Sequence, residues 1–345
     1  MKKLFIIFAV LCLAAPAMAA DWNFYGSARM ATFWVDVDPD VAGVDSDADL
    51  QWAQQGNSRI GANVKFNDEI GGGFEMSDSF GKRKLFGTYN FGAGQLLLGQ
   101  TYTPSAIFAS NSVFDGDGDL LGIGEFYEGR LPMVQLTFGG FKLALITPST
   151  VGPTADTDTT IPKIEAAYTF KADMFSIMGF AGYNTTTDEG GAVGGGDLDY
   201  DSYVAGLGVG LNFGALYVNL GAHMGQNLGN YGAYQPYLDD GAAVNAAGTD
   251  VLDNDGLGYL AVVGFKLSDM FTIEAGYGHE ETELDAEAGA ASNTQEADQY
   301  YLNATINITK GFFIVPEVGM INLSEDASPE EPETFYVGAK WQINF

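Results

Sequence analysis

Between Thr103 and Gly129 the chain reads TPSAIFASNSVFDGDGDLLGIGEFYEG, with Asp115, Asp117, Asp119, Glu125 and Glu128 and no base. The scarce bases fall elsewhere. Arg29, Arg59, Lys65, Lys142 and Lys163 occupy polar positions of alternating segments, Lys82, Arg83 and Lys84 stand together, and Arg130 follows the acidic stretch. Carboxylates facing bases across water would set up a transverse field that orients dipolar solutes and disfavours apolar ones. Nucleophilic and acid–base chemistry has far less to draw on. Cys12 is the single cysteine, and His223 and His279 are the two histidines. Neither histidine stands in a motif with a nucleophile or a metal ligand, so the residues argue against an enzyme. Acids at every second position (Asp36, Asp38, Asp40; Asp45, Asp47, Asp49; Asp115, Asp117, Asp119) could offer oxygens to Ca²⁺. None continues into the full twelve-residue calcium loop with its closing Glu. No cofactor is expected, and Asp115, Asp117 and Asp119 are the candidate structural calcium set.

The elements that must hold these groups announce themselves by a period of two. In TFYVGAKWQINF, Phe335, Val337, Ala339, Trp341, Ile343 and Phe345 alternate with Thr334, Tyr336, Gly338, Lys340, Gln342 and Asn344. That is a strand with one apolar and one polar face. SRIGANVKF repeats the pattern, with Ile60, Ala62, Val64 and Phe66 opposite Arg59, Gly61, Asn63 and Lys65. Such segments run from WNFYGSARMATFWV to the last residue, and sixteen strands are read. Seven connections of two to four residues alternate with eight mostly longer, acidic ones, including 37–50, 147–162, 184–201, 226–257 and 281–297. Sorting of connections by length is the mark of a membrane barrel, with tight turns on one side and long loops outside. Only a closed sheet satisfies the backbone of strands in hydrocarbon, and sixteen strands enclose a lumen too wide for side chains to fill. The fold expected is therefore an all-β transmembrane antiparallel barrel of sixteen strands. Trp22, Phe24, Trp34, Phe170, Tyr203, Phe213, Phe271, Tyr300, Trp341 and Phe345 suit interfacial girdles.

Composition agrees with export. Lys2 and Lys3, the apolar run LFIIFAVLCLAA and small residues at Ala17 and Ala19 read as a signal peptide over 1–20, cleaved to leave a barrel domain over 21–345. Without Lys2 and Lys3 there remain 13 bases against 45 acids, which argues against a nucleic-acid partner. The lipid bilayer with its lipopolysaccharide is the expected surroundings, and divalent ions bridging loops to lipopolysaccharide phosphates are a further expectation. Fixed negative potential leads to an expectation of weak cation preference.

SRIGANVKFNDEIGGGFEMSDSF resembles the second and third strands of the general porins of Gram-negative outer membranes. KLFGTYNFGAGQLLLGQTYTP resembles their next hairpin, and GRLPMVQLTF and the terminal Phe345 are similar too. The resemblance implies a homotrimeric diffusion pore in the outer membrane whose third external loop, about 103–129, folds inward. Asp115, Asp117, Asp119, Glu125 and Glu128 would then face Arg29, Arg59, Lys65, Lys82 and Lys84. The same resemblance implies that Phe345, with Trp341 on the closing strand, forms the signal read by the outer-membrane assembly machinery. The basic ladder is thinner than the family pattern, with Leu97 and Gln100 at positions often basic. Two other functions stay open: a channel specific for a sugar or another small solute, hinted at by Tyr25, Tyr217, Tyr301 and Tyr336 on polar faces, and a surface structural or adhesive barrel.

Overall fold

The computed structural model describes residues 20–41, 45–149, 157–193, 195–287, 292–328 and 330–345. Residues 1–19 of the expected signal peptide lie outside them. The first strands are β1 (Asp21–Asp38), β2 (Asp47–Gln54 and Arg59–Lys65, interrupted at 55–58), β3 (Ile70–Ser77), β4 (Lys82–Asn90) and β5 (Gln95–Tyr102). Next come β6 (Arg130–Phe138), β7 (Phe141–Ile146), β8 (Thr157–Asp158 and Lys163–Lys171), β9 (Phe175–Asp188), β10 (Leu198–Phe213) and β11 (Leu216–Gln226). The last are β12 (Asn254–Lys266), β13 (Phe271–Leu284), β14 (Asn293–Thr309), β15 (Phe312–Glu325) and β16 (Glu333–Asn344).

Each strand pairs antiparallel with the next. β16 then pairs with β1, from Ser27 opposite Asn344 to Asp38 opposite Glu333, so the sheet closes on itself. The sheet has 18 ladder segments, and because β2 and β8 are each built of two, the barrel has sixteen strands. Closure leaves no edge in the apolar layer.

β16 shows how the sequence dictates this. Its apolar set is the exposed one, with Trp341 42% and Ile343 52% accessible, while Tyr336, Lys340 and Gln342 are buried. That inversion suits an apolar solvent outside and a polar lumen within. All ten aromatics expected in the girdles are exposed in the same way. The two-residue turns at 214–215 and 310–311 put Gly214 and Gly311 at φ 84 and 86, a region that glycine enters freely and that tight hairpins require.

The strands run further than their alternation indicates. Residues 184–188, 198–201, 254–257, 281–284 and 293–297, expected in loops, are strand. Beyond the apolar layer both faces meet water, so the composition loses its period while the ladder goes on, as in Thr187 opposite Asp199 and Glu283 opposite Thr294. The wall is low at β3, β4 and β5 and high from β9 to β15. The eight connections at the opposite end from the short turns are numbered loops 1 to 8. Loop 3 spans 103–129 and loop 6 spans 227–253.

Candidate functional site

A loop that leaves the sheet and enters the barrel takes its backbone N–H groups away from both ladder and bulk water, so they need acceptors. The wall supplies carboxylates. Ser105 N donates to Glu165 on β8 (3.1 Å), Asn111 N to Glu274 on β13 (2.7 Å), and Gly124 N to Glu280 (2.9 Å). On β15, Glu317 accepts from Val113 N (2.8 Å), Phe114 N (3.1 Å) and the Ser112 hydroxyl (2.8 Å). Asp117 meets Arg29 of β1 and, at 2.8 Å, Lys340 of β16. One segment touches β1, β8, β13, β15 and β16 only by crossing the interior. Its apolar side chains seat it: Phe114 stacks on Tyr336 with ring centroids 3.8 Å apart, and Ile123 is fully buried. On β13 a Cβ at Gly278 would lie 2.0 Å from the Ile123 carbonyl oxygen, so a residue without a side chain lets the loop touch the wall.

Loop 6 also turns inward, which the sequence reading missed. Tyr234 N donates to Tyr127 O (2.7 Å) and Gln235 Nε2 to Gly122 O (2.9 Å), binding loop 6 to loop 3. The Tyr231 hydroxyl donates to Glu165 (2.7 Å), and the ammonium of Lys163 donates to Tyr231 O (2.9 Å) while pairing with Glu128. Together the two loops pack against β8 to β15, and a cavity of about 780 Å³ remains between loop 3 and a wall formed by β1, β2, β4 to β6 and β14 to β16.

Arg29, Arg59, Arg83, Lys84, Arg130 and Lys340 line that cavity, facing Asp115, Asp117 and Asp119 of loop 3. The three aspartates lie at φ 47, 61 and 52, left-handed conformations that Asp adopts more readily than most residues. Glu75 lies behind the bases, 2.7 Å from Arg83 and 3.6 Å from both Arg59 and Lys84. Even with Glu75 counted, the bases outnumber the acids six to four. Burial, with Glu125 and Asp117 close by, pushes the Asp119 carboxyl above its ordinary range.

The other expected residues go elsewhere. Glu125 is buried within loop 3, accepting from Ala109 N (2.8 Å), and Glu128 is the buried partner of Lys163. Both therefore fasten the loop and do not line the cavity. Lys65 lies at the turn end of β2, 2.7 Å from the exposed Asp68. Lys82 stands opposite Met76, one position beyond a register shift in the β3–β4 ladder. That bulge lets Arg83 and Lys84 both turn toward Glu75 and removes Lys82 from the inner face. Tyr25, Tyr217 and Tyr301 donate to Glu75 (3.0 Å), Glu274 (2.5 Å) and Glu274 (2.6 Å), and Tyr336 lies under Phe114. Tyr217, Tyr301 and Tyr336 support loop 3, Tyr25 supports Glu75 on the wall, and the four form no ladder along the lumen. His223 is buried against Glu280 (3.0 Å), and His279 pairs with Asp298 (2.9 Å). Among the described residues no group of three or more His, Cys, Asp or Glu side chains is placed to hold a metal. With Arg29 and Lys340 against Asp117, the three loop aspartates do not form the oxygen cage that Ca²⁺ takes.

The wall glutamates were missed although they left a trace. Glu165, Glu274 and Glu317 are each the one acid of a short stretch rich in apolar and small residues, in KIEAAY, TIEAGY and VPEVGM. Glutamate is disfavoured in strands, so its presence at inward positions marks places where something must be held.

A family model described as Gram-negative porin matches residues 8–326. No curated protein matches the chain. Among solved structures, the fold is similar to the outer membrane channel DcaP of Acinetobacter baumannii, with TM-score 0.77 and 17% identity over 96% of this chain and 99% of that one. It is similar to the anion-selective porin from Comamonas acidovorans, with TM-score 0.58 and 15% identity over 94% and 100%. OmpF of Salmonella typhi in complex with daunomycin gives TM-score 0.59 and 13% identity over 95% and 99%. At such identities the structural likeness speaks to fold, and the family match speaks to kinship. The chain belongs to the Gram-negative porin family: it is an outer-membrane channel and not an enzyme.

Proposed function

We propose that this porin is a water-filled channel for passive diffusion of small hydrophilic solutes and ions. It works as a homotrimer, after removal of a signal peptide over 1–20. The constriction lies between Asp115, Asp117 and Asp119 on loop 3 and the wall bases Arg29, Arg59, Arg83, Lys84, Arg130 and Lys340. The observation that carries the selectivity is the excess of bases over acids at that cavity. It argues for a preference for anions, against the weak cation preference expected from net charge. Outer-loop acids act over about 8 Å at physiological salt before screening removes them, whereas the constriction bases stand within touching distance of a passing ion.

The low wall at β3 to β5 supports the trimer. Above it, Asp47–Gln54 of β2 pairs with β1 alone, and Trp52 is 69% exposed. An unpaired edge of that kind needs cover. OmpT of Vibrio cholerae, at 15% identity, has been solved in a trimer form. A second reading, a channel selective among anions, is favoured by the aromatic rings beside the bases. Conductance of the purified protein in planar bilayers, with neutral solutes of increasing size, tests the channel. Stepwise conductance that falls off at a solute cut-off is expected, and absence of conductance overturns the reading.

A further inference from the structure

We propose that the constriction holds a binding subsite for aromatic carboxylates, built from Arg130, Lys84, Tyr102, Phe108, Tyr127 and Tyr234. The inference rests on the channel reading and adds a solute class to it. Arg29 and Lys340 meet Asp117, and Arg59, Arg83 and Lys84 meet Glu75. Among the described residues Arg130 has no carboxylate partner. Its Nε is buried without an acceptor, and its Nη2 donates to the Tyr102 hydroxyl at 2.7 Å. A guanidinium with an unused donor, held in a charged cavity, is suited to a carboxylate brought in by a solute.

The second half of the site is apolar. Phe108 of loop 3 is 49% exposed, and Tyr234 of loop 6 is 46% exposed. From Tyr102 the rings continue to Phe108 (5.1 Å between centroids), to Tyr127 (5.9 Å) and to Tyr234 (6.4 Å). Tyr102 joins the two halves, with the Arg130 guanidinium carbon 4.4 Å and the Lys84 ammonium 4.7 Å from its ring centroid. All six residues line the same cavity. A rigid apolar ring left facing water beside convergent polar groups is the usual make-up of a ligand site. A carboxylate at Arg130 would place an attached ring against Phe108 and Tyr127, within the spacing at which aromatic pairs attract. An aliphatic carboxylate gains only the first contact, and a neutral aromatic amide only the second.

Single-channel recordings in potassium chloride distinguish these cases, with benzoate, butyrate and benzamide as probes. Benzoate is expected to interrupt the current at a concentration roughly tenfold below butyrate or benzamide, from one extra contact of about 1.4 kcal/mol. Phe108→Leu, which keeps apolar bulk but removes the ring, should cut the advantage of benzoate over butyrate by about three- to tenfold. Arg130→Gln should remove its advantage over benzamide. Arg130→Lys, which keeps the charge and loses the planar fork, should retain part of it. Absence of any conductance in the unaltered protein would sink the channel reading itself. Normal conductance with equal block by benzoate and butyrate, or an advantage unmoved in Phe108→Leu, would sink the subsite alone.

Discussion

Lys163 and Glu128 form an ion pair in which neither side chain reaches solvent. The lysine stands on β8 and the glutamate at the end of loop 3, so the pair fastens the loop to the wall where it leaves the cavity. Removing one partner strands a buried charge, which typically costs about 3–5 kcal/mol, whereas replacing both with apolar groups can be neutral. Lys163→Met should therefore lower the thermal unfolding temperature markedly, and Lys163→Met combined with Glu128→Leu should recover most of the loss. A double-mutant cycle on unfolding checks it; additive losses would show that the pair is not coupled.

Glu317 makes the same point from the other side of the lumen. Its carboxylate accepts from Ser112, Val113 and Phe114, and from Asn303 at 3.0 Å. Glu317→Gln replaces one acceptor oxygen by a donor facing donors, at a cost of about 2–4 kcal/mol. Loop 3 should loosen while the barrel remains closed. Liposome swelling should then admit larger sugars than the unaltered channel does, with unchanged heat-modifiable gel mobility.

Burial pushes the Glu125 carboxyl up to about 8, despite backbone donors that favour its charged form. One of its oxygens is buried without a partner, which leaves the charged form poorly solvated. A folded pKa above the unfolded one gives a contribution fully present below about pH 4.5 and lost as pH rises through about 8. The attachment of loop 3 should weaken between these limits. Protection of the Ala109 amide, corrected for intrinsic exchange, should fall on going from pH 6 to pH 9. In Glu125→Gln that fall should vanish.

How much of this was legible depended on whether a residue answers to the membrane or to the loop. Phe335, Val337, Trp341 and Ile343 face a uniform apolar solvent, which imposes a strict period that any reader of the sequence finds. Arg29 and Arg59 were legible because they sit on strands the alternation had already placed, whereas Asp117 entered as their opposite charge only through the resemblance, which implied an inward third loop. Lys82 failed because a single-residue bulge in β4 reverses facing, and nothing local in KRK announces a bulge. Glu125 and Glu128 were taken for lining because composition does not say whether an acid meets water or a backbone amide. Loop 6 was missed because Leu228, Tyr231 and Leu238, its buried apolar residues, are scattered through a polar stretch and acquire a partner only once loop 3 is in place.

Phe345 closes the seam. Its N–H and carbonyl exchange hydrogen bonds with Gly26 at 3.0 and 2.8 Å. Its ring lies so close that a Cβ on Gly26 would come within 2.5 Å of it. Deleting Phe345 removes that contact and the terminal aromatic expected to guide assembly. The fraction of heat-modifiable, membrane-inserted protein should drop several-fold, with single-channel conductance of the inserted remainder unchanged. Unimpaired insertion would remove Phe345 from the assembly role.

The excess of bases at the constriction makes the boldest claim, because the chain as a whole carries a formal charge of −30. The direct measurement is the zero-current potential of many channels across a tenfold potassium chloride gradient. Control by the constriction predicts the sign of chloride preference, reversing when Arg59, Arg83 and Arg130 are changed together to glutamine. A potassium preference in the unaltered channel would contradict it.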